Sequence, residues 1–140
     1  MFMKYFVFNE FFNSSVANIV GIVNYPSPEV EQYVRNNIIT LVDQVLDPIQ
    51  ERWSAPVRIT SGYRCKALNE LVGGVENSHH LTGRAADFTI DGLTPSEYKE
   101  LAYWCADHLE FDQLIVYAQR RFIHVSYVSP GSNRHEVLFT

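Results

Sequence analysis

The apolar residues change period at Pro56, and that change limits what the chain can fold into. Before it, Val34, Ile38, Leu41, Val42, Val45, Leu46 and Ile49 recur at three- and four-residue steps, a single stripe on a helix over about 29–53. Ser27 suits an N-cap with Pro28 at the first helical position, and Pro48 should kink or restart the helix. After Pro56 the pattern alternates. Residues 57–60 read as a strand, 65–72 as a short helix stopped by Gly73-Gly74, and 84–90 as a second strand. Thr94-Pro95-Ser96-Glu97 opens a helix to about 108 with a capping box. Residues 114–117 and 122–128 flank a loop short enough for an antiparallel hairpin, and 136–139 suggest an edge strand. Upstream, 9–20 reads as one helix with Phe11, Phe12, Val16, Ile19 and Val20 on a face, stopped by Gly21. Helices first, then strands with one inserted helix, predict an α+β fold: N-terminal helices packed on a small antiparallel sheet, not a doubly wound one.

The 140 residues predict a single domain over 1–140. With 46% hydrophobic and 19% charged residues, global disorder is excluded. Eleven basic against sixteen acidic residues leave a net charge of −5 with no basic block, which argues against a nucleic-acid partner. No apolar run approaches the ~20 residues of a membrane span. The N-terminal MFMKYFVFNEFF lacks a sustained apolar region and a small-residue cleavage site, so a cytoplasmic location as synthesised is expected. Its aromatics, with Tyr25, are expected mostly in the core. Cys65 and Cys105 belong to no Cys-x-x-Cys pair, which excludes a zinc ribbon or thioredoxin motif. Two reduced thiols are expected, with a single disulfide left open.

Three side chains raise the question of a metal. Asp87 lies in an apolar strand, where a carboxylate is costly to bury without a cation or a metal. His124 shares a strand face with Phe122 and Ser126, and His80 lies in a polar loop. Two imidazoles and a carboxylate from three elements would make a three-ligand zinc site with an open fourth position. The spacing His-x6-Asp alone is unspecific.

The wider pattern is specific. Ser61-Gly62-Tyr63-Arg64, Leu68-Asn69, Val72-Gly73-Gly74 and Ser78-His79-His80-Leu81-Thr82-Gly83-Arg84-Ala85-Ala86-Asp87 follow one another. Phe111-Asp112-Gln113-Leu114-Ile115 and Ile123-His124-Val125-Ser126 come later. This series resembles the zinc D-Ala-D-Ala carboxypeptidase and peptidoglycan endopeptidase family in its small phage and bacterial form, over about 9–138. The resemblance implies a zinc cleft holding one Zn2+ per chain on His80, Asp87 and His124. It implies that Arg64 holds the substrate carbonyl or carboxylate, with Ser78 near the metal, and that Gly83 and Ala85 are small because backbone passes close to the site. The implied substrate is a peptidoglycan stem peptide, cut next to a D-amino acid by an endolysin-like monomer that reaches the cell wall after release.

Two positions depart from that family. Many relatives end the strand after FDQLI in glutamate, where this chain has Tyr117, and others place a histidine at the position of Phe122. Tyrosine is a poor base at neutral pH but can donate a hydrogen bond to an oxyanion. The base could come from His79, Asp112 or Glu110, or zinc hydroxide could act alone. Alternatively the chain is a zinc-bearing, non-catalytic binding or structural module of a phage particle. The full ligand set with Arg64 favours the enzyme. His79, next to a ligand on an extended segment, is expected to point away, and His108 and His135 read as surface residues.

Overall fold

Pro48 lies inside the long N-terminal helix, which accommodates it by widening one turn. The computed structural model, which describes residues 2–140, has α3 at Glu31–Leu41, a π-helical turn at Val42–Leu46 and α4 at Asp47–Arg52. Asp47 N–H donates to Val42 O, five residues back, in the turn preceding the proline ring. The helix therefore continues past Pro48. The seven stripe residues named above are all buried, each contributing about 1.5–3 kcal/mol.

The helix expected over 9–20 is two helices, α1 at Phe8–Phe12 and α2 at Ser15–Val20. Asn13 is extended, and the Ser14 hydroxyl accepts from Ala17 N–H at 3.1 Å, starting a new helix. Local capping beats continuation here. Phe11 and Ala17 are buried, whereas Val16, Ile19 and Val20 are exposed. Of the N-terminal aromatics, Phe6 and Phe11 are buried, Phe8 and Phe12 pack partly against the core, and Phe2, Tyr5 and Tyr25 are exposed.

After Pro56 come β1 (Val57–Ser61), α5 (Lys66–Leu71), a 3-10 turn (His79–Thr82), β2 (Ala85–Ile90), α6 (Pro95–His108), β3 (Gln113–Tyr117), β4 (Phe122–Ser126) and β5 (Glu136–Phe139). The capping box at Thr94 and Glu97 forms as expected. The sheet order is β1-β2-β4-β3-β5, an α+β arrangement. Neighbours are antiparallel except β3 and β5, which are parallel, so the sheet is mixed and the antiparallel expectation is corrected at its last strand. The cause is where the chain emerges. Ser126, ending β4, and Glu136, opening β5, both pair with Gln113 at the start of β3. Since β2 already covers the other side of β4, the returning chain must cross to the free edge of β3 and run alongside it.

Alternation gives the sheet two different faces. Phe88, Ile90, Leu114, Val116, Ile123 and Val125 point into the buried cluster formed with the helices. Asp87, His124 and Ile115 stand side by side on the opposite face, with Tyr117 and Phe122 paired in the next row. Cys105 is buried, Cys65 is half-buried, and both are free thiols.

Candidate metal centre

His80, Asp87 and His124 come together from the 3-10 turn, β2 and β4, with one ligand atom of each within 4.8 Å of the others. Asp87 Oδ1 lies 2.9 Å from His124 Nδ1 and 3.3 Å from His80 Nε2. Asp87 and His124 are cross-strand partners, so β-sheet register alone places them. His80 is brought in differently. Ser78 caps the turn by accepting from His80 N–H at 3.1 Å, and Gly83, at φ +77, ends it. A Cβ on Gly83 would lie 2.8 Å from Val34 O, so this turn sits against α3 only because Gly83 has no side chain.

The His80 ring is oriented from behind. Its Nδ1 lies 2.7 Å from Gly62 O, and a carbonyl can only accept, so Nδ1 carries the proton and the Nε2 lone pair faces Asp87. That is the arrangement a metal-binding imidazole needs. Two imidazole nitrogens and a carboxylate oxygen suit zinc, and the residues present fit the ion. Burial opposes ionisation of Asp87, but the hydrogen bond from His124 and the close approach of the His80 imidazole outweigh it and hold the carboxyl well below the usual carboxylate range.

Arg64 stands over the same carboxylate. Its Nη2 is 3.4 Å from Asp87 Oδ2, its Nε donates to Ser61 Oγ at 3.0 Å, and its Nη1 donates to Asn69 Oδ1 at 3.3 Å. Asn69 is buried and donates from Nδ2 to Val75 O, while its own carbonyl accepts from Gly74 N–H. A Cβ on Gly74 would fall 2.1 Å from Asn69 Oδ1, which is why the Gly-Gly loop can fold over this amide. The Arg64 backbone is pinned as well, its N–H donating to His80 O at 3.0 Å. Asn24, from the connector after α2, bonds Phe12 O, Tyr63 O and Cys65 N–H. Asn24, Asn69 and Gly62 are positioning residues that sequence reasoning did not single out for the site. The only signal was that Asn69 and Gly62 stood inside the quoted motifs.

The cleft measures about 300 Å³ and is lined by the three candidate ligands, Arg64, Ser78, Val75, Gln113, Ile115, Tyr117, Arg120 and Phe122. A larger open groove beside α1 and α2, about 630 Å³, holds none of the candidate ligands. Tyr117 and Phe122 are cross-strand partners stacked at 4.3 Å with an interplanar angle of 9°. Tyr117 and Phe122, the two positions that depart from the expected family pattern, thus occupy one place, filled by an aromatic pair.

The other bases considered lie elsewhere. Asp112 is buried and engaged by Arg134, whose Nη2 donates at 2.9 Å. Glu110 accepts from Gly131 N–H and Asn133. His79 is half-buried, with Nδ1 3.9 Å from Asp112 Oδ2, and burial holds its imidazole below the ordinary value even though Asp112 pulls the other way. None of the three lines the cleft. His108 stacks on Trp104 and His135 on Phe111, both exposed and outside the site.

A sequence-family model described as Peptidase M15 matches residues 4–126, a span that contains every residue of the cleft. No curated protein matches the chain.

Proposed function

The chain belongs to the Peptidase M15 family, and from that premise we propose that it hydrolyses peptidoglycan stem peptides, as a zinc enzyme, at a bond next to a D-amino acid. The observation that carries this reading is the meeting of His80, Asp87 and His124 with Arg64 in one cleft. The first three would hold one zinc ion. Zinc bound there supplies a Lewis acid for the scissile carbonyl and lowers the pKa of a coordinated water toward ~7.

The chain's own groups supply orientation and charge. Gly62 O fixes the tautomer of His80, and Asp87 keeps its negative charge through the two imidazoles. Arg64 has further N–H groups beyond those bonded to Asn69 and Asp87, and these can donate to a substrate oxygen that gains charge. Ser78 accepts from His80 N–H and keeps its own hydroxyl proton for the substrate. The Tyr117 hydroxyl makes no hydrogen bond among the described residues and serves as a donor to an oxyanion. Ile115 and Phe122 add apolar surface to the lining of the cleft. The protein acts as a monomer of one domain, 1–140, in lysis or remodelling of the wall after release, in the manner of a phage endolysin. No helix among the described residues is long and apolar enough to cross a membrane.

One observation favours a second reading. Among the described residues Asp87 is the only carboxylate lining the cleft, and an aromatic pair fills the place of a base. A zinc-bearing module of a phage particle that grips stem peptides without cutting them would show the same features. Incubation of the zinc-loaded chain with stem peptides ending in D-Ala-D-Ala, with products read by mass spectrometry, separates the two. Hydrolysis abolished by a chelator and restored by zinc is the expected result. Stoichiometric zinc and peptide binding without any product establishes the module instead.

A further inference from the structure

The cleft wall opposite Arg64 carries a cation that the mechanism above does not use. Arg120 lies in the β3–β4 turn, its guanidinium 5.0 Å from the Phe122 ring centre and 5.8 Å from that of Tyr117. The two rings stack on each other, so the cation rests on a fixed aromatic platform. The turn itself is tight: Arg121 N–H donates to Ala118 O at 3.2 Å, and Arg121 adopts a left-handed φ of 58°. Arg120 has no carboxylate partner among the described residues. Arg64 differs, since Asp87, Asn69 and Ser61 already engage it.

Register puts the two arginines on opposite sides of the candidate ligands. Ser61, at the end of β1, pairs with Asp87, and Arg64 follows beyond it. Arg120 lies past the Tyr117–Phe122 pair, beyond the start of β4 and so on the other side of the His124 row. The lining of the cleft thus carries two guanidinium groups and one carboxylate, although the whole chain is at −5. A cleft of inverted charge draws in anions, and a guanidinium on a rigid platform loses little entropy on pairing with a planar carboxylate.

We propose that Arg120, on the Tyr117–Phe122 stack, is a substrate-carboxylate subsite, so the peptide this cleft selects carries a free carboxylate on the side of the candidate ligands away from Arg64. The assignment deepens the peptidase reading and rests on its substrate class, but it does not require turnover.

The test pairs a residue change with a substrate change. Probes are a stem pentapeptide ending in D-Ala-D-Ala and its versions with each carboxylate in turn converted to carboxamide. Each is presented to zinc-loaded wild type and Arg120→Gln, reading kcat/KM where the peptide is cut and Kd where it is not. The Arg120 Nε–Hε resonance is followed in the wild type, as a readout independent of chemistry. One amide should cost wild type about tenfold, Arg120→Gln should lose a similar factor on the parent, and the two losses should not add. The parent, but not that amide, should shift the Arg120 resonance. Equal losses on every amide, additive losses, or an unmoved resonance overturn the subsite. Cleavage indifferent to Arg120 overturns it while leaving the peptidase intact. Carboxylate-dependent binding without cleavage keeps the subsite and removes the hydrolytic reading.

Discussion

The two walls of the cleft are built on different principles. The loop wall, from Ser61 to Gly83, is wired: Arg64, Asn69, Ser78 and His80 each have their polar groups tied to another part of the wall or to its backbone. The hairpin wall has a stacked aromatic pair, a cation without a carboxylate partner, and no acid. A wired wall tolerates little change, because removing one partner orphans another. The hairpin wall is held by strand register and ring contact, so Tyr117, Arg120 and Phe122 can change without breaking the bonds that orient His80 and Arg64.

The largest expected effect tests whether the cleft holds a metal, by removing one candidate ligand from each wall. His80→Ala with His124→Ala should remove stoichiometric zinc, measured by elemental analysis, and abolish peptide hydrolysis. Circular dichroism should show the fold intact, since the buried cluster lies on the other face of the sheet. Full zinc content in this double variant would sink the ligand assignment.

Next comes Arg64→Ala. It should lower kcat by about 10²- to 10³-fold with zinc content unchanged, the size seen on losing an oxyanion donor. Simple unfolding would mean that the ion pair with Asp87 is the residue's whole role.

The hairpin wall should respond in the opposite direction. Tyr117 is one strand over and two residues along from His124, within reach of a carboxylate side chain. If the wild type is slow, Tyr117→Glu should raise kcat by about 10²-fold, the usual gain from a positioned base. An inert Tyr117→Glu together with a neutral Tyr117→Phe would show that this position takes no part in the reaction.

Gly74→Ala is a smaller, steric probe of the wiring. The added Cβ meets the buried Asn69 amide at 2.1 Å. The variant should lose about 1–3 kcal/mol in denaturant unfolding and release Arg64 from its orienting bond. Gly73→Ala, by contrast, meets no neighbour and is strained only by its φ of +75. Matching losses in the two would argue that the loop wall is less tightly wired than its geometry indicates.

The smallest effect is in acid. Burial of Asp112 opposes its charge, but the bonds from Arg134 outweigh this and hold the carboxyl below its ordinary value. A depressed carboxylate contributes stability that is fully present above the unfolded value near 3.8 and is lost as pH falls through the lower folded value. Asp112→Asn should therefore flatten the acid limb of stability against pH, and melting temperatures between about pH 5 and 2 should show it.

Much of this was legible before any coordinates. The period change at Pro56, the capping box at Thr94 and the ligand-type residues His80, Asp87 and His124 are local or motif-borne properties of the chain. Covalent order carries them, and so do short-range preferences that act within a turn or two. Other features depended on what each segment met after folding. β5 ran parallel because β2 already occupied the far side of β4. Asn24 and Asn69 acquired their roles only when chain 5 to 41 residues away was brought against them. The joining of Tyr117 and Phe122 into one aromatic stack required the β3–β4 register, because a one-residue slip would put the two rings on opposite faces. Sequence alone determined which chemical groups the chain owns and roughly where they lie along it. Tertiary structure decided which of those groups remain free to act, because hydrogen bonds and ring contacts between distant segments form only when register and packing bring them within about 3–5 Å.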